Sequence, residues 1–155
     1  MSNCGRRIAE DIKIMGVASE IWERGTALMR KMLVKVPESK RSHAEKTVGV
    51  GDFCGHSIRT MVHVKRWWLL NKRLEIEYDP AKANALLDEM LELIEAEERN
   101  VTETIPLTEA DSRLGWEPSM DYVGGTWHLK WKLYQLNNLK EHTIPAYRET
   151  TKLKG

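Results

Sequence analysis

The stretch Glu109-Ala110-Asp111-Ser112-Arg113-Leu114-Gly115-Trp116-Glu117 places three carboxylates, a guanidinium and an indole within nine residues. Carboxylates and guanidinium groups form directional, charge-assisted hydrogen bonds, and an indole face stacks on the apolar face of a sugar or on a partner surface. Glu109, Asp111, Arg113, Trp116 and Glu117 are therefore the candidate ligand- or partner-binding residues. The competing expectation is an Asp111/Arg113 network that pins the segment to the rest of the fold. No catalytic constellation is complete. Ser57 and Ser112 have no identifiable base, neither a Gly-x-Ser-x-Gly elbow nor a P-loop is present, and Glu109 with Asp111 alone defines no reaction. Metal chemistry is equally unsupported. Carboxylate-bridged di-metal bundles use Glu-x-x-His pairs, and no Glu here is followed by His three residues on. His56 and His63 are two helical turns apart, roughly 10 Å by helix rise, so they cannot share an ion without further ligands and are read as surface or capped histidines. Cys4 and Cys54 lack C-x-x-C spacing and are read as free thiols. No cofactor and no metal are expected.

Lys65-Arg66-Trp67-Trp68-Leu69-Leu70-Asn71-Lys72-Arg73 mixes basic and aromatic side chains as single-strand nucleic-acid binders do. Basic stems beside buried tryptophan, paired with an acidic neighbour, account for it better, and no nucleic-acid partner is expected. The charge balance agrees: 24 basic and 23 acidic residues sum to +1, leaving no global field for a polyanion. The two halves differ in sign, with 15 basic and 10 acidic residues in 1–79 against 9 and 13 in 80–155, which favours their packing on each other. No apolar run is long enough for a membrane span, and the charged opening residues do not resemble a signal peptide, so a soluble, cytoplasmic chain is expected.

The elements that must position these residues are helices. From about 6 to 36, Ile8, Met15, Trp22, Met29 and Val36 recur every seven residues, the pattern of one long amphipathic helix that Pro37 ends. A second helix from about 43 to 78 seams Phe53, Ile58, Met61, Trp68 and Ile76. Within it, Gly49 and Gly51 either delay the start or admit a neighbour's bulky side chain, since each costs roughly 1 kcal/mol in a helix. Asp79-Pro80 reads as an N-cap with proline in the first turn of a third helix, about 80 to 103. Its apolar steps are Ala83, Leu87, Met90, Ile94 and Val101, with Glu97 in the same register, and its acids form a solvated face beside the basic helices. Residues 105–120 read as a long ordered loop. A fourth helix, about 126 to 144, sets Trp127, Trp131 and Tyr134 on one side and Leu129, Leu133 and Leu136 on an adjacent one, as for a helix buried over most of its circumference. Ile144-Pro145 stops it, leaving 146–155 as a frayed tail. At 155 residues this is a single all-α domain, an antiparallel four-helix bundle.

The run Ile105-Pro106-Leu107-x-Glu109-Ala110-Asp111-Ser112-Arg113-Leu114-Gly115-Trp116-Glu117-Pro118-Ser119-Met120, with Lys65-Arg66-Trp67-Trp68-Leu69-Leu70 before it and His128-Leu129-x-Trp131-Lys132 after it, resembles the C-terminal helical region of large bacterial glycoside-hydrolase-like proteins. In such proteins the catalytic carboxylates lie in a separate barrel domain, so the resemblance transfers no catalytic residue to this chain. It implies a non-catalytic accessory or packing module whose partner is a barrel-type catalytic domain. The alternative is a free-standing carbohydrate or small-ligand binder using the 105–120 loop. The oligomeric state is open at this point.

Overall fold

A computed structural model describes residues 3–115 and 124–152, and every described element is helical. The helices are α1 (Asn3–Met32), α2 (Glu38–Glu75), α3 (Pro80–Ala110), α4 (Thr126–Asn138) and α5 (Ile144–Lys152). A short 3-10 turn, Leu33–Lys35, follows α1, and a π-helical turn, Leu139–Thr143, joins α4 to α5. Cross-helix pairs fix the directions. Between α1 and α2 they run Asp11–Lys65, Glu23–Arg59 and Arg30–Asp52; between α2 and α3, His56–Thr104 and Arg73–Glu89; between α3 and the last segment, Thr108–Thr126 and Glu98–Lys140. Numbers fall on one helix as they rise on its neighbour for α1 with α2, α2 with α3, and α3 with the C-terminal segment, while α4 and α5 follow each other along α3.

The bundle is open. Backbones approach closely between α1 and α2, α2 and α3, α3 and α4, and α3 and α5, but α1 meets neither α3 nor α4 in this way. Helix α3 is the centre, and its buried residues run from Ala83 to Thr108. The apolar core occupies one end, where Leu86, Leu87, Met90, Leu93 and Ile94 of α3 meet Leu70 of α2 and Ile144 of α5. Towards the other end buried polar residues, Ser19, Thr26, Glu97, Asn100, Thr104 and Thr108, join the buried apolar Val48, Val101 and Leu114.

Several element boundaries differ from the periodicity reading, each for a physical reason. Helix α2 begins at Glu38, and its glycines are contact points instead of breaks. A Cβ on Gly51 would overlap Thr26 Cγ2, one on Gly55 would stand 3.1 Å from Trp22 Cδ1, and the Trp22 indole N–H donates to the Gly51 carbonyl at 2.6 Å. Helix α3 continues through Pro106 to Ala110, so the first third of the expected loop is helix. Past Ile144-Pro145 the chain also stays helical. The π-helical turn lets the backbone change its bonding pattern just where proline lacks an N–H, and buried Ile144 anchors the segment expected to fray. Seam assignments change too: Met61 is about half exposed, Ile76 mostly so, and Trp22 sets the N–H edge of its indole against the α2 glycines with much of its ring in solvent. The aromatic side of α4 faces outward, opposite to a helix buried nearly all round.

Candidate functional site

The sequence-predicted site residues do not converge. Asp111 ends α3, and its carboxylate accepts from the Arg113 backbone N–H at 3.1 Å and from the Arg113 guanidinium at 2.9 and 2.6 Å. This is a local turn closed on itself, and the Arg113 side chain is 76% exposed, so the pair does not pin the segment to the bundle from within. The same guanidinium holds the Asp111 carboxyl down at about 2. Glu109 points the other way and pairs with Lys130 of α4 at 3.0 Å. Trp116 and Glu117 lie outside the described residues. What holds the two ends of this connection together is backbone. The Gly124 N–H donates to the Gly115 carbonyl at 3.1 Å, and Gly115 adopts φ +81° where a Cβ would overlap Gly124. Only glycine takes up both constraints without strain.

A cluster that the sequence reading passed over occupies the polar middle of the bundle. Glu97, 5% exposed on α3, accepts from His63 Nδ1, from the Lys132 ammonium of α4 and from Thr60 Oγ1 at 2.6 Å. Burial pushes its carboxyl upward, but the bonds from His63, Lys132 and Thr60 outweigh that and hold it at about 2. Glu97 is therefore a fixed anion at neutral pH, suited to tying three helices together and unsuited to proton exchange. One turn on, Asn100 donates to the His56 carbonyl at 3.0 Å and to Thr60 Oγ1 at 2.9 Å, and its own oxygen accepts from Arg59 at 2.9 Å. Arg59 also reaches Glu23 of α1 at 2.7 Å, which lowers that carboxyl.

The tautomer of His56 follows from its partners. Thr104 Oγ1 donates its one proton to the Asn100 carbonyl at 2.6 Å, so in the 2.8 Å contact with His56 Nδ1 the ring must donate. Desolvation and the neighbouring Arg59 lower the His56 pKa, and the neutral ring turns Nε2 towards Glu103 at 3.8 Å. These groups line one side of a cavity of about 360 Å³ bounded by α1, α2 and α3; a second cavity of about 340 Å³ lies between α2, α3 and α4. The first is lined largely by groups paired with one another: Arg59 with Glu23 and Glu103, Arg30 with Asp52. Ser57, which lines the second cavity, donates to the Phe53 carbonyl at 2.9 Å. Among the described residues no buried side-chain polar atom lacks a partner, and no group of three or more His, Cys, Asp or Glu could hold a metal ion. The cluster is built to be satisfied internally.

The basic-aromatic run of α2 is likewise absorbed. Lys65 pairs with Asp11, Lys72 with Glu75 and Arg73 with Glu89, while Trp67 packs on the apolar core. On α4 the fold leaves aromatic side chains exposed. Trp127, Trp131 and Tyr134 form a ledge along the outer face of α4, 74, 51 and 61% exposed, with the Trp131 and Tyr134 rings stacked at 5.2 Å and 25°. Among the described residues no helix is long and apolar enough to cross a membrane. Compared with protein-family models, with curated proteins and with solved structures, the chain matches none of them.

Proposed function

We propose that the chain is a non-catalytic helical accessory module that acts by surface recognition, packing on a larger carbohydrate-active protein of the glycoside-hydrolase-like kind that its sequence resembles. The observation that supports this most is the α4 ledge. Three large aromatic side chains left in water on one helix face are the residues that dominate recognition when covered. The internally paired charges of the bundle middle support the same reading, since Glu97, Arg59 and Lys132 are occupied in holding helices together. A free-standing carbohydrate binder is the second reading, favoured by the stacked Trp131–Tyr134 pair, which offers a broad flat face to a sugar ring. The Glu109–Lys130 bridge ties the end of α3 to the helix that carries that ledge.

Tryptophan fluorescence separates the two. The wild-type chain and a Trp127→Ala/Trp131→Ala variant are titrated with a panel of oligosaccharides and with a barrel-type catalytic domain. The accessory reading expects a response to the barrel domain that the double substitution removes. A response to free sugar alone establishes the second reading. A wild-type chain indifferent to both ends both.

A further inference from the structure

We propose that α1 is a self-association surface on which the α1 of a second copy of this chain docks antiparallel. Helix α1 has two apolar stripes. The inward one, with Met15 and Trp22 among its residues, faces α2. The outward one is Ile14, Ile21 and Leu28 at seven-residue spacing, flanked by Val17 and Met32, and these five side chains are 52 to 68% exposed. Since α1 packs closely on α2 but not on α3 or α4, nothing in the described chain covers that stripe. A seven-residue repeat keeps a stripe in line along a helix and is the pattern by which two helices interlock. Small residues sit beside the large ones: Ala18 and Gly25 adjoin Ile21, and a Cβ built on Gly25 would have nothing within 4 Å. They form the hollows into which Ile21 and Leu28 of a facing helix fit.

Area, self-complementarity and charge identify the occupant. The five side chains expose on the order of 500 Å² of apolar surface, already as large as the biggest patch on a typical monomer. With the flanking turns they approach the roughly 800 Å² that each partner contributes to a stable interface. A two-fold interface needs one patch that fits itself. With the axis at Ile21, the antiparallel arrangement sets Ile14 against Leu28 of the second copy and Ile21 against its own counterpart. It also brings exposed Glu10 near Lys31 of the other chain, whereas a parallel pair would set Lys31 on Lys31 and Glu10 on Glu10.

Sedimentation velocity across the micromolar range tests this on the full chain. The expected mass is twice the 17.9 kDa of one chain, falling to one chain on dilution. Ile21→Glu places two like charges at the axis and should weaken association about 100-fold, with an unchanged circular dichroism spectrum because the position is exposed. Ile14→Lys, nearer the end of the stripe, should weaken it less. Val34→Glu, exposed but off the stripe, should leave it intact. In a Cys4→Ser background, Ile21→Cys should cross-link two chains under oxidation and Ile14→Cys should not. A monomer at every concentration, or a dimer untouched by both Ile21→Glu and Ile14→Lys, overturns the proposal. Self-cross-linking of Ile14→Cys as efficient as that of Ile21→Cys overturns the antiparallel arrangement.

Discussion

Glu97 shows how one side chain can be misplaced by its chemistry and located by its register. Its charge groups it with the acids of α3, but its position continues the steps of Leu87, Met90, Ile94 and Val101, and the register prevails because His63, Lys132 and Thr60 supply the hydrogen bonds that a buried carboxylate requires. Replacing Glu97 with Ala strands a buried histidine and a lysine, and should cost about 3 to 5 kcal/mol in a urea melt. The pH dependence has a definite sign. The carboxyl is held at about 2 in the folded chain, below its ordinary 4.5, so its contribution is complete above pH 4.5 and is lost as pH falls towards 2. Melts of wild type and Glu97→Gln should therefore converge as pH drops through that window, and a constant gap would refute the assignment. Asp111 and Arg113 contrast with it. Their hydrogen bonds are good but the guanidinium stands in water, so Arg113→Ala should leave the melting temperature nearly unchanged. The two positions look alike as sequence, an acid near a base; the partners separate them, since those of Glu97 come from two other helices and that of Asp111 from an exposed side chain two residues on.

At the scale of elements, the contact between α1 and α2 depends on backbone room. Gly51 and Gly55 let Thr26 and the Trp22 ring come within touching distance of the α2 backbone, and a methyl at Gly51 has no space unless Thr26 yields. Gly51→Ala should destabilise by about 1 to 3 kcal/mol. Adding Thr26→Ala should recover part of that loss in a double-mutant cycle, because the second change removes the obstructing methyl. Purely additive effects would mean that the helices meet elsewhere. The apolar end gives a second comparison. Leu87 is fully buried, so Leu87→Ala should cost about 2 to 5 kcal/mol, whereas Met61→Ala should cost less than about 1 kcal/mol from its half-exposed position. Chemical denaturation of the two variants checks both.

Across the whole molecule, stability is unevenly distributed. Helix α3 is packed by α2, α4 and α5, whereas α1 leans on α2 alone through a face that is partly polar. Local opening follows packing, so backbone amides of α3 between Leu86 and Val101 should exchange slowest and those of α1 much faster. Hydrogen-exchange mass spectrometry reads this directly. If a second copy covers α1, its protection should rise with protein concentration while that of α3 does not change. Charge is arranged on the same plan. The acids of α3 meet basic groups on both sides, Arg73 from α2, and Lys132, Lys140 and Arg148 from the C-terminal helices. Of these four pairs only Arg73–Glu89 joins the basic first half to the acidic second half; the other three lie within the second half.

The sequence by itself determined the all-α class and the Asp79-Pro80 start of α3, because apolar period and caps are local properties of the chain. In the basic run of α2, Arg73 meets the acidic helix α3, whereas Lys65 and Lys72 pair with Asp11 and Glu75 of the first half. Only the tertiary structure decided which apolar stripe faces inward. Ile14, Ile21 and Leu28 have the same spacing as Met15, Trp22 and Met29, and hydrophobicity does not say how many neighbours a helix will have. It alone decided that the glycines of α2 are seats for Trp22 and Thr26, that the Trp127 side of α4 faces solvent, and that Glu97 is buried. Each of these depends on atoms brought together from residues 25 or more positions apart or, for the α4 ledge, on where no neighbour lies, and such information enters only when the chain closes on itself.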